Sequence, residues 1–151
     1  MERGKLKMKK RKWLASVLLT MVATMSLSIP AFAGEPETRT AEDSTIPSTY
    51  VGYISGFNTD IREKDNYSYH YIRNDSGFSL CVLSKSYSDR VNRTQNGRAI
   101  VPSGEYFIAN YVKESGKNEC FLNITSAYSG LSGYASGAWS PDSVGSYPVV
   151  N

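Results

Sequence analysis

From Tyr50 to the C-terminus, the chain consists of short runs rich in Tyr, Val, Ile, Phe and Ser, separated by turn residues at intervals of roughly 10 to 15 residues. No part of this region shows an apolar stripe of useful length with the helical period of about 3.6 residues. Short β-prone runs between frequent turns are typical of antiparallel all-β domains. The pattern therefore predicts a small antiparallel β-sandwich or barrel of about six or seven strands.

The first 33 residues have the composition of an export signal. Seven basic residues precede Trp13, an apolar run continues to Ile29, and the A-F-A triplet at 31–33 supplies the small residues of a cleavage site. We therefore expect residues 1–33 to be a signal peptide and the protein to be secreted and extracellular. A transmembrane anchor is the alternative, but a run of roughly 17 residues is short for a span, so we expect no stable membrane anchor.

Removal of this leader reverses the charge balance. The leader carries seven basic residues and one acidic residue, so the net charge of +3 for the whole chain becomes about −3 for residues 34–151. The basic character belongs to the export signal and does not indicate nucleic acid as a partner. What remains is long enough for one domain with one core.

The remaining chain divides in two by composition. Residues 34–49, GEPETRTAEDSTIPST, contain no aromatic residue and no apolar period. We expect them to be a disordered spacer. Residues 50–151 are then the β-domain, with strands also expected at Tyr50–Phe57, Ala99–Val101 and Gly130–Trp139.

Two stretches have the pattern of β-hairpins. In residues 104–126, a turn at Ser115-Gly116 would bring two apolar faces together. The resulting pairs are Tyr111 with Cys120, Ala109 with Leu122, and Phe107 with Ile124.

The second predicted hairpin spans residues 66–84 and turns near Gly77. A two-residue loop and a three-residue loop that pairs Tyr71 with Cys81 are both compatible with the sequence. The nearly continuous apolar run Phe78–Leu83 favours a central strand covered on both sides.

Cys81 and Cys120 are the only cysteines. Both lie in predicted strands of an exported chain, and disulfides persist outside the cell. We therefore predict a cross-strand disulfide between them.

The sequence offers no convincing catalytic site, metal site or cofactor site. His70 is the single histidine, and a zinc site or a Ser-His-Asp relay needs more partners than its neighbours supply. We expect it at a half-exposed strand position. Acidic and amide residues between Asn58 and Asn66 lack the spacing of a calcium loop. We therefore expect a protein that is not an enzyme.

Aromatic residues are the best candidates for a binding surface. All 11 tyrosines lie after residue 49, and Tyr67, Tyr69 and Tyr71 alternate along one predicted strand. Tyrosine suits both a partly solvent-exposed sheet face and a recognition surface.

Trp139 ends a predicted strand before the turn at Ser140-Pro141-Asp142-Ser143. Its indole can fold over the core or stand at the rim as a binding group. Residues 146–150 should return as a short strand, which Pro148 confines to a sheet edge.

The tail SGAWSPDSV, residues 136–144, resembles that of uncharacterised small secreted proteins of Gram-positive bacteria. More loosely, the size and the Tyr, Ser and Gly content are similar to the lactococcin-like bacteriocins. These resemblances imply a protein that acts by binding, with a cell-envelope component or another protein as the expected partner. A bacteriocin-like antibacterial toxin is the alternative.

Overall fold

The computed structural model describes residues 42–151, so the predicted signal peptide at 1–33 and the first part of the spacer lie outside the described residues. Within residues 42–151, the chain forms nine strands and one short 3-10 turn at Gln95–Gly97. The strands are β1 (Ser44–Val51), β2 (Phe57–Asn58), β3 (Arg62–Glu63), β4 (His70–Asn74), β5 (Leu80–Ser86), β6 (Ala99–Val101), β7 (Gly104–Ile108), β8 (Glu119–Ser126) and β9 (Gly133–Ser140). This region contains no helix long and apolar enough to cross a membrane.

The strands form two antiparallel sheets. The four-stranded sheet has the order β1-β9-β4-β7, and the five-stranded sheet has the order β2-β8-β5-β6, with β3 also paired to β8. The sheets pack face to face as an open sandwich, which confirms the all-β prediction and selects the sandwich over the closed barrel. The strand count exceeds the prediction because β2 and β3 are two-residue strands along β8.

Six of the eight connections between successive strands of the described region cross from one sheet to the other; β2–β3 and β5–β6 stay within the five-stranded sheet. Both predicted hairpins are wrong, since β7 and β8 lie in different sheets, as do β4 and β5. Phe107 on β7 lies opposite Tyr71 on β4, whereas Cys120 on β8 lies opposite Ser86 on β5. The predicted inward face is confirmed for β8, where Leu122 and Ile124 lie in the core. It is wrong for β7, where Ile108 lies in the core and Phe107 packs on the outer side of the four-stranded sheet.

The core lies between the inner faces of the two sheets. Its largest members are fully buried, or nearly so: Ile46, Ile72, Ile108 and Trp139 from the four-stranded sheet, and Leu80, Leu122 and Ile124 from the five-stranded sheet. β5 is a central strand, as predicted. Its outward residues Cys81, Leu83 and Lys85 are half-buried, however, so only one of its faces is fully covered.

The β-domain begins earlier than the composition indicates. β1 includes Ser44 to Thr49, which the sequence assigned to the spacer, and burial of Ile46 anchors this part of the strand. The strand predicted at Tyr50–Phe57 is also wrong, because β1 ends at Val51 and Phe57 belongs to the other sheet. Gly56 makes this crossing possible: a Cβ there would lie 2.1 Å from the carbonyl oxygen of Ile124.

The C-terminal tail covers the free edge of β7. Phe107 N donates to the Pro148 carbonyl at 2.8 Å, and Val150 N donates to the Phe107 carbonyl at 3.1 Å. Val149 and Phe107 form a single parallel bridge. The tail returns to a sheet edge as predicted, but the short strand predicted at residues 146–150 is wrong, because only this one bridge forms there.

Candidate functional site

A cleft opens on the outer face of the four-stranded sheet, between the sheet and the C-terminal tail. Its volume is about 300 Å³, at the lower end of the range for small-molecule sites. β4, β7, the residue before β1 and the tail each contribute to its lining. Among residues 42–151, the lining residues are Asp43, Tyr71, Arg73, Glu105, Val144 and Tyr147.

The floor of the cleft is aromatic. On β4 the side chains of His70 and Ile72 face the core, so Tyr71 faces outward. The Tyr147 ring from the tail lies 5.2 Å from that of Tyr71 and 5.3 Å from that of Phe107, with tilted and edge-on contacts. The Tyr69 ring is 6.4 Å from Phe107. These four residues, Tyr69, Tyr71, Phe107 and Tyr147, form what we call the outer aromatic cluster.

Acidic groups surround this aromatic floor. The Tyr71 hydroxyl donates to Glu105 Oε1 at 2.7 Å. Burial, the hydrogen bond to Glu105, and the charges of Glu105 and Asp43 together raise the pKa of the Tyr71 phenol above its ordinary value. Arg73 is the one cation among the described residues of the lining, and its Nε donates to both carboxylate oxygens of Asp75 at 3.0 and 3.1 Å. The phenol is therefore protonated and the cleft is bordered by carboxylates.

The structure separates the four residues that the sequence singled out for binding. Tyr71 lines the cleft and Tyr69 joins the outer aromatic cluster. Tyr67 is 66% exposed but does not line the cleft. Trp139 is 0% exposed and packs edge-on against His70 at 5.9 Å between ring centroids. Of the two positions that the sequence allowed for Trp139, the structure selects the core, so a binding role at the rim is wrong for the folded domain.

The remaining lining residues were missed by sequence reasoning. Continuing the alternation of Tyr69 and Tyr71 by one step places Arg73 on the same face, so the sequence pattern was sufficient to identify Arg73. Glu105 lies opposite Arg73 on β7, a pairing across 32 positions that the predicted hairpins excluded. No local sequence pattern identifies Tyr147 as a lining residue, because its contacts depend on the path of the tail.

The tail motif W-S-P-D-S, residues 139–143, forms the centre of a buried polar network. The Pro141 carbonyl accepts from Lys64 Nζ at 2.6 Å and from His70 Nδ1 at 2.7 Å. Lys64 is fully buried, and its Nζ also donates to the Ser68 carbonyl at 2.6 Å. Burial lowers the pKa of Lys64, while the nearby Asp142 carboxylate acts in the opposite direction.

Asp142 ties the same motif to the loop after β3. Its carboxylate oxygens accept from the backbone N of Asp65 at 2.9 Å and of Asn66 at 3.2 Å, and Oδ1 lies 3.3 Å from Lys64 Nζ. Ser143 N donates to Ser68 Oγ at 3.0 Å. The tail motif is thus a structural connection between the loop and the end of β9.

His70 is fully buried, which corrects the half-exposed position expected from the sequence. Because a carbonyl oxygen only accepts hydrogen bonds, His70 Nδ1 carries the proton and donates to the Pro141 carbonyl, and the Ser84 hydroxyl donates to Nε2 at 2.6 Å. Burial, together with the charge of Lys64, lowers the pKa of His70 to about 3, so the ring is neutral. This geometry resembles a serine–histidine pair, but Ser84 is also fully buried and unreachable by substrate in this conformation.

The predicted disulfide is wrong. Both cysteines are free. Cys81 lies opposite Thr125 on β8, five positions from Cys120, which corresponds to roughly 17 Å along the strand. A disulfide needs Cα atoms within about 7 Å. Cys120 also faces the core, whereas Cys81 faces outward.

Metal-binding groups are not assembled in the described region. Among residues 42–151, no group of three or more His, Cys, Asp or Glu side chains is placed to hold a metal ion. The polar residues between Asn58 and Asn66 instead contribute to β2, β3 and the contacts with Asp142.

Comparison with known proteins gives one match. No curated protein and no solved structure is significantly similar to the chain. A family model described as a protein of unknown function, DUF2712, matches residues 29–143, from the end of the predicted leader to the last residue of the tail motif. This match covers about three quarters of the chain, and the protein therefore belongs to the DUF2712 family.

Proposed function

We propose that this chain is a secreted, non-enzymatic β-sandwich protein of a Gram-positive bacterium that acts by binding a cell-envelope component in the cleft. The observation that supports it best is the cleft itself, in which an aromatic floor is surrounded by a few charged groups. Small-molecule and polymer subsites commonly combine apolar walls with a few oriented polar groups. The composition of residues 1–33 supports the extracellular location.

Two features favour binding over nucleophilic chemistry. The Ser84–His70 pair is sequestered in the core. Among the described residues, the side chains that line the cleft include no Ser, Cys, Lys or His, and of its two carboxylates Glu105 already accepts a hydrogen bond from Tyr71. What the cleft offers to a ligand is ring surface from Tyr71 and Tyr147 and charge from its rim.

Sedimentation with purified Gram-positive cell walls tests this proposal. The secreted protein should pellet with the walls, and Tyr147→Ala should weaken its retention about tenfold, since aromatic residues at the centre of a site carry much of its binding energy. Tyr128→Ala is the matched control, because Tyr128 is 57% exposed and lies outside the cleft. Thermal unfolding of both variants checks that they fold. Equal retention of the parent and of folded Tyr147→Ala would contradict the proposal.

The bacteriocin-like toxin remains the alternative. Spotting the purified protein on lawns of related bacteria tests it directly. Zones of clearing that disappear with Tyr147→Ala would favour a toxin that uses the cleft, and intact lawns beside strong wall retention would favour the binding protein.

A further inference from the structure

The charges around the cleft do not balance. Asp43 and Glu105 are both exposed carboxylates of the lining. Arg73 is the single cation among the six lining residues, and Asp75 holds its Nε through both carboxylate oxygens. The ionised groups that face the cleft, together with the partner of Arg73, therefore give a negative local field.

The hydrogen-bonding capacity of the cleft is also one-sided. The Tyr71 hydroxyl donates a hydrogen bond to Glu105, so Tyr71 presents ring surface and an acceptor oxygen to a ligand. The carboxylates of Asp43 and Glu105 are acceptors only. Arg73 is the one donor among the charged groups of the described lining; Asp75 holds its Nε, and its single positive charge is outnumbered by the carboxylates of Asp43, Glu105 and Asp75. A ligand that brings donors and positive charge fits this arrangement, and a ligand that brings an anion does not.

The aromatic floor favours the same chemistry. The faces of tyrosine rings carry partial negative charge, and they attract cations that lose part of their water shell. The ring centroids of Tyr71 and Tyr147 are 5.2 Å apart with the ring planes tilted by 50°, and Val144 adds apolar surface to the same cleft. Rings, alkyl surface and carboxylates together suit an alkyl chain that ends in an ammonium group.

Building on the proposed function, we infer that the cleft binds an organic ammonium group carried by a cell-envelope component. The alkyl part of the ligand rests on Tyr71 and Tyr147, and its charge faces Glu105 and Asp43.

Three probes of matched length test this inference on the purified secreted protein: n-butylammonium, n-butanol and n-butyrate. Titrations followed by NMR at neutral pH and low salt should show the cation binding at least about tenfold more tightly than the neutral alcohol, and butyrate should bind weakest. Added salt should weaken cation binding. Equal affinity for the cation and the alcohol, or preferential binding of butyrate, would overturn the inference.

Variants that remove one negative charge at a time show which carboxylates of the cleft hold the cation. Glu105→Gln and Asp43→Asn should each weaken cation binding by about three- to tenfold while leaving butanol binding unchanged. Glu119→Gln is the matched control, since Glu119 is an exposed carboxylate on β8 of the other sheet. If both cleft variants bind butylammonium as the parent does, the cation is not held by these carboxylates and the inference is wrong.

A competition experiment separates this inference from the proposed function. Butylammonium should release wall-bound protein, and butanol at the same concentration should not. If retention on walls depends on Tyr147 but butylammonium does not reverse it, the binding function stands and the ammonium assignment fails. If the walls do not retain the protein at all, the proposed cell-envelope partner is wrong, whatever the affinity for butylammonium.

Discussion

Lys64 Nζ lies 3.3 Å from Asp142 Oδ1, although the two residues are 78 positions apart and the lysine side chain is completely buried. This contact joins the loop after β3 to the turn that follows β9. Asp142 lies one residue before the end of the family match at residue 143, in the polar turn that follows the buried Trp139.

Asp142→Asn should destabilise the domain strongly. The substitution retains the size of the side chain but leaves the Lys64 ammonium buried without its counter-charge, which typically costs about 3 to 5 kcal/mol. Asp75→Asn is the control, since the Arg73–Asp75 pair has side chains 44% and 48% exposed and should contribute little. Urea denaturation at neutral pH measures both. Equal midpoints for Asp142→Asn and the parent would show that the ion pair contributes nothing.

Acid should destabilise the protein through His70. Its pKa is about 3 in the folded state, mainly because of burial, and near 6.5 in the unfolded chain. Between these values the unfolded state binds more protons, so the free energy of unfolding falls as the pH falls. From about pH 7 to about pH 5.5, above the range in which most carboxylates titrate, the loss should be about 1 kcal/mol. The chain has one histidine, so His70→Gln should flatten this slope, and a flat profile in the parent would contradict the burial of His70.

Gly137→Ala should prevent folding or nearly so. Gly137 lies in β9 between β1 and β4 with a φ of +152°, and a Cβ there would lie 1.8 Å from the carbonyl oxygen of Arg73. Gly77→Ala is the matched control, because no atom lies within 4 Å of its Cβ position. The yield of folded protein and its melting temperature compare the two. A Gly137→Ala variant that melts like Gly77→Ala would show that β9 does not approach β4 this closely.

The two thiols should differ in reactivity. Burial raises the pKa of Cys120 to about 12, and the residue is fully buried, whereas Cys81 is half-buried on the outer face. Native alkylation followed by mass spectrometry should modify Cys81 first, and Cys120 only after unfolding. The intact mass should not change on reduction. A gain of two hydrogens on reduction of the monomer would restore the disulfide that the strand register excludes.

The sequence predicted the inward face of β8 but not that of β7, and it predicted neither strand's partner. Leu122 and Ile124 are buried in the core as expected, whereas on β7 it is Ile108 that lies in the core, and Phe107 belongs to the outer aromatic cluster. Their pairing was wrong, because the turn at Ser115-Gly116 is compatible with both a hairpin and a crossing between sheets. Alternation of side chains along a strand separates its two faces. It carries no information about which strand lies beside it, and where both faces are apolar, as on β7, it does not identify the inward one.

The same limit applies to the cleft. Tyr71 and Tyr69 were found because their spacing is local. Glu105 and Tyr147 reach Tyr71 only through the pairing of β7 with β4 and the return of the tail along β7. Such contacts arise from topology, which the local pattern of a single sequence does not specify.

The position of the ligand on the protein shows whether the cleft is the binding site. Backbone amide spectra of isotope-labelled protein, recorded with and without soluble fragments of Gram-positive cell walls, locate the residues that respond. We expect shifts concentrated at Tyr71, Arg73, Glu105 and Tyr147, with none on the outer face of the five-stranded sheet. Shifts confined to that opposite face, with the cleft unchanged, would contradict binding in the cleft.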